Sequence, residues 1–414
     1  MTVKTFFKNL NNGVDVSLEQ MRKAQERIAP VLEDTRLIES PIFSKECGNR
    51  VFIKPENLQK TGAFKIRGAY NKIAQLSDKE KSMGLVASSA GNHAQGVALA
   101  SSLLGVKSTI VMPTTTPLIK VESTRDYGAN IALYGNCYDD SYNEARRLEA
   151  EHGYKFIHPF DDWDIMIGQG TIGLEIMDEL KDADIILVPV GGGGLVSGVA
   201  LGAKLLNPSV KVIGVEPEGA ASMKASLEKG SVATLDSVST IADGVAVKTP
   251  GDLTYSVCKH LVDDIITVSD FELMESFLLL LEKHKIVAEN SGILPLAALK
   301  KLNVKDKKVV CVVSGGNIDV VTVSSMINRG LVSRSRIFCF SVELFDRPGE
   351  LLKISEILAS ERANVIQLEH NQFKSFDRLM QVNLEVTVET NGKMHVDMIT
   401  AALEKHGYRI TKIY

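Results

Sequence analysis

Between about Arg50 and Arg329 the sequence alternates short β-branched runs with longer segments of helical period, and no other feature restricts its fold as strongly. RVFIK, GLVASS, STIVM, NIALY, DIILVPV, VKVIGVE and KVVCVV each precede a helix-like stretch, among them GVALASSLL, LVSGVALGAKLL and NIDVVTVSSMINRG. The pattern predicts an α/β fold, a parallel sheet covered by helices on both faces. Ahead of it, Ser17 and Gln20 stand at capping-box spacing and predict a helix reaching about Ile28. The rhythm changes at RGLVSRSR, a polar basic stretch read as a linker over residues 330–336. Residues 337–414 then follow the order strand, helix, two strands, helix, strand, which predicts a ferredoxin-like split βαβ module.

A chain of 414 residues exceeds one ordinary core, so two or three domains are expected. With 44% hydrophobic and 24% charged residues and a net charge of -4, it reads as a soluble globular protein, not a partner for nucleic acid or an anionic membrane. Cys47, Cys137, Cys258, Cys311 and Cys339 are widely spaced, form no C-x-x-C pair and read as buried thiols of a reducing compartment. The polar start of the chain and the lack of a long apolar run predict a cytoplasmic protein without a membrane span.

Three segments can carry chemistry, each at the C-terminal end of a predicted strand or in the turn after it, where α/β sheets bind ligands. Gly191, Gly192, Gly193 and Gly194, with Leu195 behind them, leave backbone N–H groups uncovered at a helix start, a cradle suited to phosphate. The same run also serves as a plain strand-to-helix turn. A dinucleotide reading fails on spacing, because Val196 or Ser197 falls where the last glycine of G-x-G-x-x-G belongs. Lys65 follows Phe64 and lies between glycines, so its amine can be partly desolvated and nucleophilic, where most lysines are solvated surface charges. Ser88 to Gly96, which includes Ser89, Ala90, Gly91, Asn92 and His93, forms a small-residue turn at a helix start, suited to a carboxylate. His93 by itself reads more as a structural histidine than as a catalyst, and no zinc-type spacing surrounds it.

ENLQKTGAFKIRGA, SAGNHAQG, GGGGL and Ser314-Gly315-Gly316-Asn317, in this order, resemble the motif set of the serine and threonine dehydratases. That family has the tryptophan-synthase-β-like, two-lobed fold type II of pyridoxal-phosphate enzymes. The likeness runs from about Thr35 to Arg329, and from about Ser335 the chain resembles a single ACT regulatory domain, including its Asp346-Arg347-Pro348-Gly349 turn. It implies a catalytic core over residues 1–329, a smaller lobe over about 84–160 closing on the cofactor, and an ACT-like domain over 337–414.

The resemblance also implies roles. Lys65 matches the lysine that binds pyridoxal 5'-phosphate covalently and serves as the base at the substrate Cα. Gly191 to Gly194 match the phosphate loop, Phe64 the aromatic beside the ring, and Asn92 the residue bonding the phenolic oxygen. Ser89 and the backbone of Ala90, Gly91, Asn92 and His93 match the substrate carboxylate site. Ser314 matches the group facing the pyridine nitrogen, where a neutral hydroxyl favours β-elimination over transamination.

The implied activity is deamination of L-threonine to 2-oxobutyrate and ammonia, the committed step of isoleucine biosynthesis. Serine racemases resemble the chain too, but carry a serine where Ala90 stands, and racemisation needs a proton donor on each face. An L-serine dehydratase or racemase is the alternative within the family, and an amino-acid sensor with a lapsed site the alternative outside it. Family cation sites match Glu216, Ala220 and Ser222, and the serine leaves a monovalent ion, a divalent ion or none open. The resemblance further implies a homodimer or homotetramer, with isoleucine or valine as effector at the tail; a tail that only pairs subunits is the simpler alternative.

Overall fold

The computed structural model describes residues 16–371 and 381–414. All seven predicted strands of the first 329 residues form, as β2 (Arg50–Pro55), β3 (Leu85–Ser88), β4 (Ser108–Met112), β5 (Asn130–Leu133), β7 (Ile185–Pro189), β8 (Lys211–Pro217) and β10 (Lys308–Val313). Three others join them: β1 (Ile38–Glu39), β6 (Lys155–Phe156) and β9 (Asp264–Val268). They form two sheets. One has the order β1-β2-β10-β7-β8-β9, parallel except for β1, and the other is the all-parallel β5-β4-β3-β6.

The larger sheet is buried on both faces, and its central strands read as unbroken apolar runs for that reason: every residue of β7 is buried. Helices Trp163–Glu179 and Gly194–Leu206 pack on each other through glycines. A methyl on Gly202 would lie 2.1 Å from Gly170 O, and one on Gly198 2.4 Å from Met166 O. These close contacts bring the two helix backbones together. Ser17 accepts from Gln20 N at 3.3 Å and starts the helix Leu18–Ile28 at the expected position.

The chain divides into two compact units, one running to Ser276 and resuming over Lys283–Ile318, the other made of Phe277–Glu282 and Asp319–Tyr414. The stretch read as a linker is helical at its start, since the helix Val320–Ser333 runs into it. In the second unit β11 (Ile337–Phe345), β12 (Asn364–Asn371), β13 (Gln381–Glu389) and β14 (Ile410–Lys412) form an antiparallel sheet of order β12-β13-β11-β14. With helices Glu350–Ser360 and Lys393–Lys405 this is the ferredoxin-like order expected. Phe338, Phe340, Val342 and Leu344 alternate inward from β11 to meet Ile354, Leu358, Ile399 and Leu403 of the helices.

Four of the five cysteines are buried, as expected, but Cys137 is exposed. It precedes the helix Tyr138–His152 at a surface turn, and its polar neighbours Asn136, Asp139 and Asp140 agree with that exposure. Among the described residues no helix is long and apolar enough to cross a membrane.

Candidate active site

Lys65 opens the helix Lys65–Ala74. The turn before it requires Gly62, whose φ of +68° is left-handed and whose Cα would carry a side chain into Asn317 Oδ1, 2.4 Å away. Phe64 N donates to Ser314 O at 3.1 Å and Ala63 bridges to Gly315, so the end of β10 is tied to the start of the lysine helix. Lys65 Nζ donates to Pro159 O at 2.7 Å and stands 5.2 Å from the Phe64 ring centroid. Burial lowers its pKa to about 8, although the nearby Glu289 pulls the other way. Such an amine keeps a far larger neutral fraction near physiological pH than an ordinary lysine, and that fraction can attack a carbonyl.

Phe160, next in the chain after Pro159, covers the glycine run. A methyl on Gly192 would lie 2.4 Å from its ring, and one on Gly194 2.9 Å from its Cα. Gly193, at a left-handed φ of +95°, caps the helix Gly194–Leu206, and Thr254 Oγ1 donates to Gly192 O at 2.6 Å. The first N–H groups of that helix, Gly194 and Leu195 included, have no acceptor within it, and they sit at the positive end of its dipole. A phosphate satisfies both demands. Gly192→Ala is accordingly expected to cost about 1–3 kcal/mol of packing and to weaken phosphate-cofactor binding. Titrating the variant with pyridoxal phosphate and reading absorbance checks this, and an unchanged dissociation constant would show that the loop does not hold the group.

On the other side of the loop a methyl on Gly191 would lie 3.0 Å from Val245 Cα, and one on the adjacent Gly244 2.6 Å from Ser291 Oγ and 3.4 Å from Glu289 Oε1. Glu289 N donates to Gly315 O at 2.9 Å, which returns to Ser314 and Phe64. The segments around residues 65, 160, 192, 244, 289 and 314 thus close a ring of direct contacts, although they are scattered over 250 residues of sequence.

The turn after β3 enters this ring through Asn92. Asn92 starts the helix Asn92–Leu103, and its Nδ2 donates to both oxygens of Glu289, at 2.8 and 3.0 Å. Gly91 N donates to Ser89 Oγ at 3.2 Å, and the space beside Gly91 is open to 4 Å. Ala90 is half-buried and packs its methyl on the core of the smaller sheet. His93 is placed differently from its neighbours: its ring is buried, with Nε2 2.9 Å from Ile157 O. Burial, reinforced by the Lys65 charge, drops its pKa to about 3, so the ring is neutral and structural, and what it offers the turn is its backbone N–H.

Glu216, Ala220 and Ser222 lie together, at the end of β8 and the start of the helix Ser222–Lys229. The Glu216 carboxylate accepts from Met223 N at 2.8 Å and Lys224 N at 2.9 Å and so caps that helix; burial pushes it up to about 7 despite those bonds. Ser222 Oγ is buried without a partner. Among the described residues no group of three or more His, Cys, Asp and Glu side chains is placed to hold a metal, so a cation here would rest mainly on hydroxyl and carbonyl oxygens.

The residues present fit a phosphorylated aldehyde cofactor. The amine of Lys65, the open helix start at Gly194 and the buried Ser314 belong to one ring of contacts. Sequence reasoning missed Glu289 and Phe160 as parts of the site, and gave no role to Asn317 although it stands in one of the motifs. Glu289 carried a signal, an acidic residue inside the otherwise small and apolar IVAENSGILPLAAL.

Residues 28–315 match the model of the pyridoxal-phosphate dependent enzyme family. An L-threonine ammonia-lyase of Thermotoga maritima is 46% identical over 396 residues, 95% of this chain and 99% of that protein. The catabolic L-threonine dehydratase of Escherichia coli K12 is 44% identical over 322 residues, 77% of this chain and 98% of its own length. Among solved structures, the processed form of threonine deaminase isoform 2 from Solanum lycopersicum superposes with a TM-score of 0.73 at 38% identity, over 76% of this chain and 88% of that one.

Proposed function

The chain belongs to the pyridoxal-phosphate-dependent enzyme family, and we propose that it converts L-threonine to 2-oxobutyrate and ammonia. The observation that carries this reading is the Lys65 amine, lowered to a pKa of about 8 and joined through Pro159 and Phe160 to a glycine-built helix start. The near full-length likeness to an L-threonine ammonia-lyase supplies the substrate.

The bound cofactor withdraws electrons from the substrate Cα and so makes its proton removable. The chain does the rest. Lys65 Nζ would hold the cofactor and, once free of it, would accept the proton from the substrate Cα. The N–H groups of Gly194 and Leu195 hold the phosphate. Ser89 and the backbone of Ala90, Gly91, Asn92 and His93 hold the substrate carboxylate, and the open space beside Gly91 leaves room for it. Ser314 would offer the cofactor ring a neutral hydroxyl, which would favour loss of the β-hydroxyl. Water leaves in the elimination and water returns in the hydrolysis that frees ammonia, so the conversion is redox-neutral.

Ala90 separates this activity from racemisation, since a methyl cannot return a proton to the opposite face. Ala90→Ser is expected to add measurable D-serine formation from L-serine, read by chiral chromatography; a variant without D-serine would remove Ala90 from the argument.

The tail binds isoleucine or valine, the chain serves as the first committed step of isoleucine biosynthesis in the cytoplasm, and the subunits form a homodimer or homotetramer. A monovalent or divalent cation sits at Glu216, Ala220 and Ser222, a reading supported by the unpaired Ser222 hydroxyl. The test is 2-oxobutyrate release from L-threonine by the purified protein, with isoleucine and valine titrated separately. A yellow protein that releases no keto acid would overturn the substrate, and a colourless one with added cofactor would overturn the whole reading. A rate indifferent to both amino acids would leave the tail as a pairing module.

A further inference from the structure

The ring of contacts contains a carboxylate without a task in the reaction as described. Glu289 is 8% exposed, and both its oxygens face Asn92 Nδ2, at 2.8 and 3.0 Å. On the other side of the same amide, Asn92 Oδ1 accepts from Asn317 Nδ2 at 2.8 Å. The directions of both amides follow from chemistry alone. Asn317 Nδ2 also donates to Thr61 O at 2.7 Å, and a backbone carbonyl can only accept. The amino end of Asn317 is thereby fixed, so Asn92 must turn its oxygen toward Asn317 and its amino group toward Glu289. A carboxylate, which accepts only, completes the sequence.

The surroundings leave Glu289 little freedom. Its N–H donates to Gly315 O at 2.9 Å, and a methyl on Gly315 would lie 2.5 Å from Glu289 Oε1 and 3.0 Å from Asn92 Nδ2. The glycine of the S-G-G-N segment is therefore required for the pair to form at all. Burial pushes the Glu289 carboxyl up to about 7; the Asn92 hydrogen bond and the charges of Lys120 and Lys65 oppose that push, and the Asp243 charge adds to it.

We infer that Glu289 is a positioning residue for the cofactor: together with Asn317 it holds the Asn92 amide so that its second N–H, not its carbonyl, is offered to the phenolic oxygen. This rests on the cofactor reading above. A flipped Asn92 would set two lone-pair-bearing oxygens against each other, so the orientation governs both the hold on the ring and its visible spectrum.

The experiment is a double-mutant cycle on the full-length holoprotein with Asn92→Ala, Glu289→Met and the double variant, reading the pyridoxal-phosphate dissociation constant and the visible absorption maximum. Glu289→Met keeps the volume and removes both acceptors, while Glu289→Gln restores one acceptor. Glu289→Met is expected to weaken cofactor binding on the order of tenfold, as loss of an outer-shell partner does elsewhere, and to shift the absorption maximum. Glu289→Gln should recover both, and the double variant should be no worse than Asn92→Ala alone. Additive losses, or a Glu289→Met protein with the parent spectrum and affinity, overturn the inference while leaving the cofactor reading intact. A parent protein that stays colourless with added cofactor overturns both. Should Glu289→Met not fold, Glu289→Gln in the same cycle decides: parental absorption with residual coupling to Asn92 supports the inference, and parental absorption with none overturns it.

Discussion

Lys65→Ala is expected to give a folded, colourless protein that forms 2-oxobutyrate from L-threonine at least about 10³-fold more slowly than the parent, because in the proposed reading one residue would both hold the cofactor and move the proton. The buried environment that makes the amine useful also sets its pH dependence. Its pKa is lowered to about 8 from the ordinary 10.5, chiefly by burial. Below about 8 the amine of the cofactor-free protein is mostly protonated and cannot attack an aldehyde. Capture of added pyridoxal phosphate should therefore quicken as pH rises toward 8 and level off above it, whereas a surface lysine would continue to gain up to about 10.5. Stopped-flow absorbance on the cofactor-free protein measures this directly. A rate still climbing at pH 9.5 would show that Lys65 is not desolvated, and a Lys65→Ala protein that remains yellow would show that another amine holds the cofactor. Circular dichroism of the variant separates either result from unfolding.

The parts of the fold that the sequence discloses are those where burial imposes a period. β7, β8 and β10 are apolar on both faces because the sheet is covered on both, and strands of that kind stand out as continuous runs. β1 and β6 are two residues long and carry no period to read. β9 lies at the edge of the larger sheet, with only two of its five residues buried, so its pattern is weak. The site follows a similar division. Its glycine run and SAGNH turn are local in sequence, and their chemistry depends on backbone groups that glycines and small residues visibly leave uncovered. Glu289 depends on partners 197 residues away, and an isolated carboxylate in sequence gives no sign of which amide it will meet. His93 shows the reverse limit: it sits within the motif, yet its ring is spent on Ile157 O.

Arg67→Ala is expected to destabilise the first unit by about 3–5 kcal/mol, the cost of removing one partner from a buried ionic cluster. Arg67 is two residues past Lys65 on the same helix. Its guanidinium donates to Glu56 from Nε and Nη2, at 2.7 and 2.8 Å, and to Glu175 from Nη1 and Nη2, at 2.6 and 2.8 Å. Arg67 and Glu56 are fully buried, and Lys54 Nζ adds a second cation to Glu175 at 2.6 Å. The cluster joins the lysine helix to β2 and to the helix Trp163–Glu179, so its loss should loosen the platform that presents Lys65. Without Arg67, Glu56 keeps the Thr35 hydroxyl at 2.6 Å but loses its cation. A melting curve of the variant should fall by something on the order of 5–10 °C, and an unchanged one would mean that the cluster adds no net stability. The pH dependence has a fixed sign. Burial pushes the Glu175 carboxyl up, but the charges and hydrogen bonds of Arg67 and Lys54 outweigh it and hold the group below the ordinary 4.5. A carboxyl depressed in the folded state contributes stability that is present above about 4.5 and is lost as pH falls through the folded value. Glu216 and Glu289, both raised to about 7, act in the opposite direction and withdraw stability as pH rises from 4.5 to 7. The parent should therefore lose stability in acid below about 4.5 through Glu175, and Arg67→Ala, already without most of that contribution, should show a shallower acid limb than the parent.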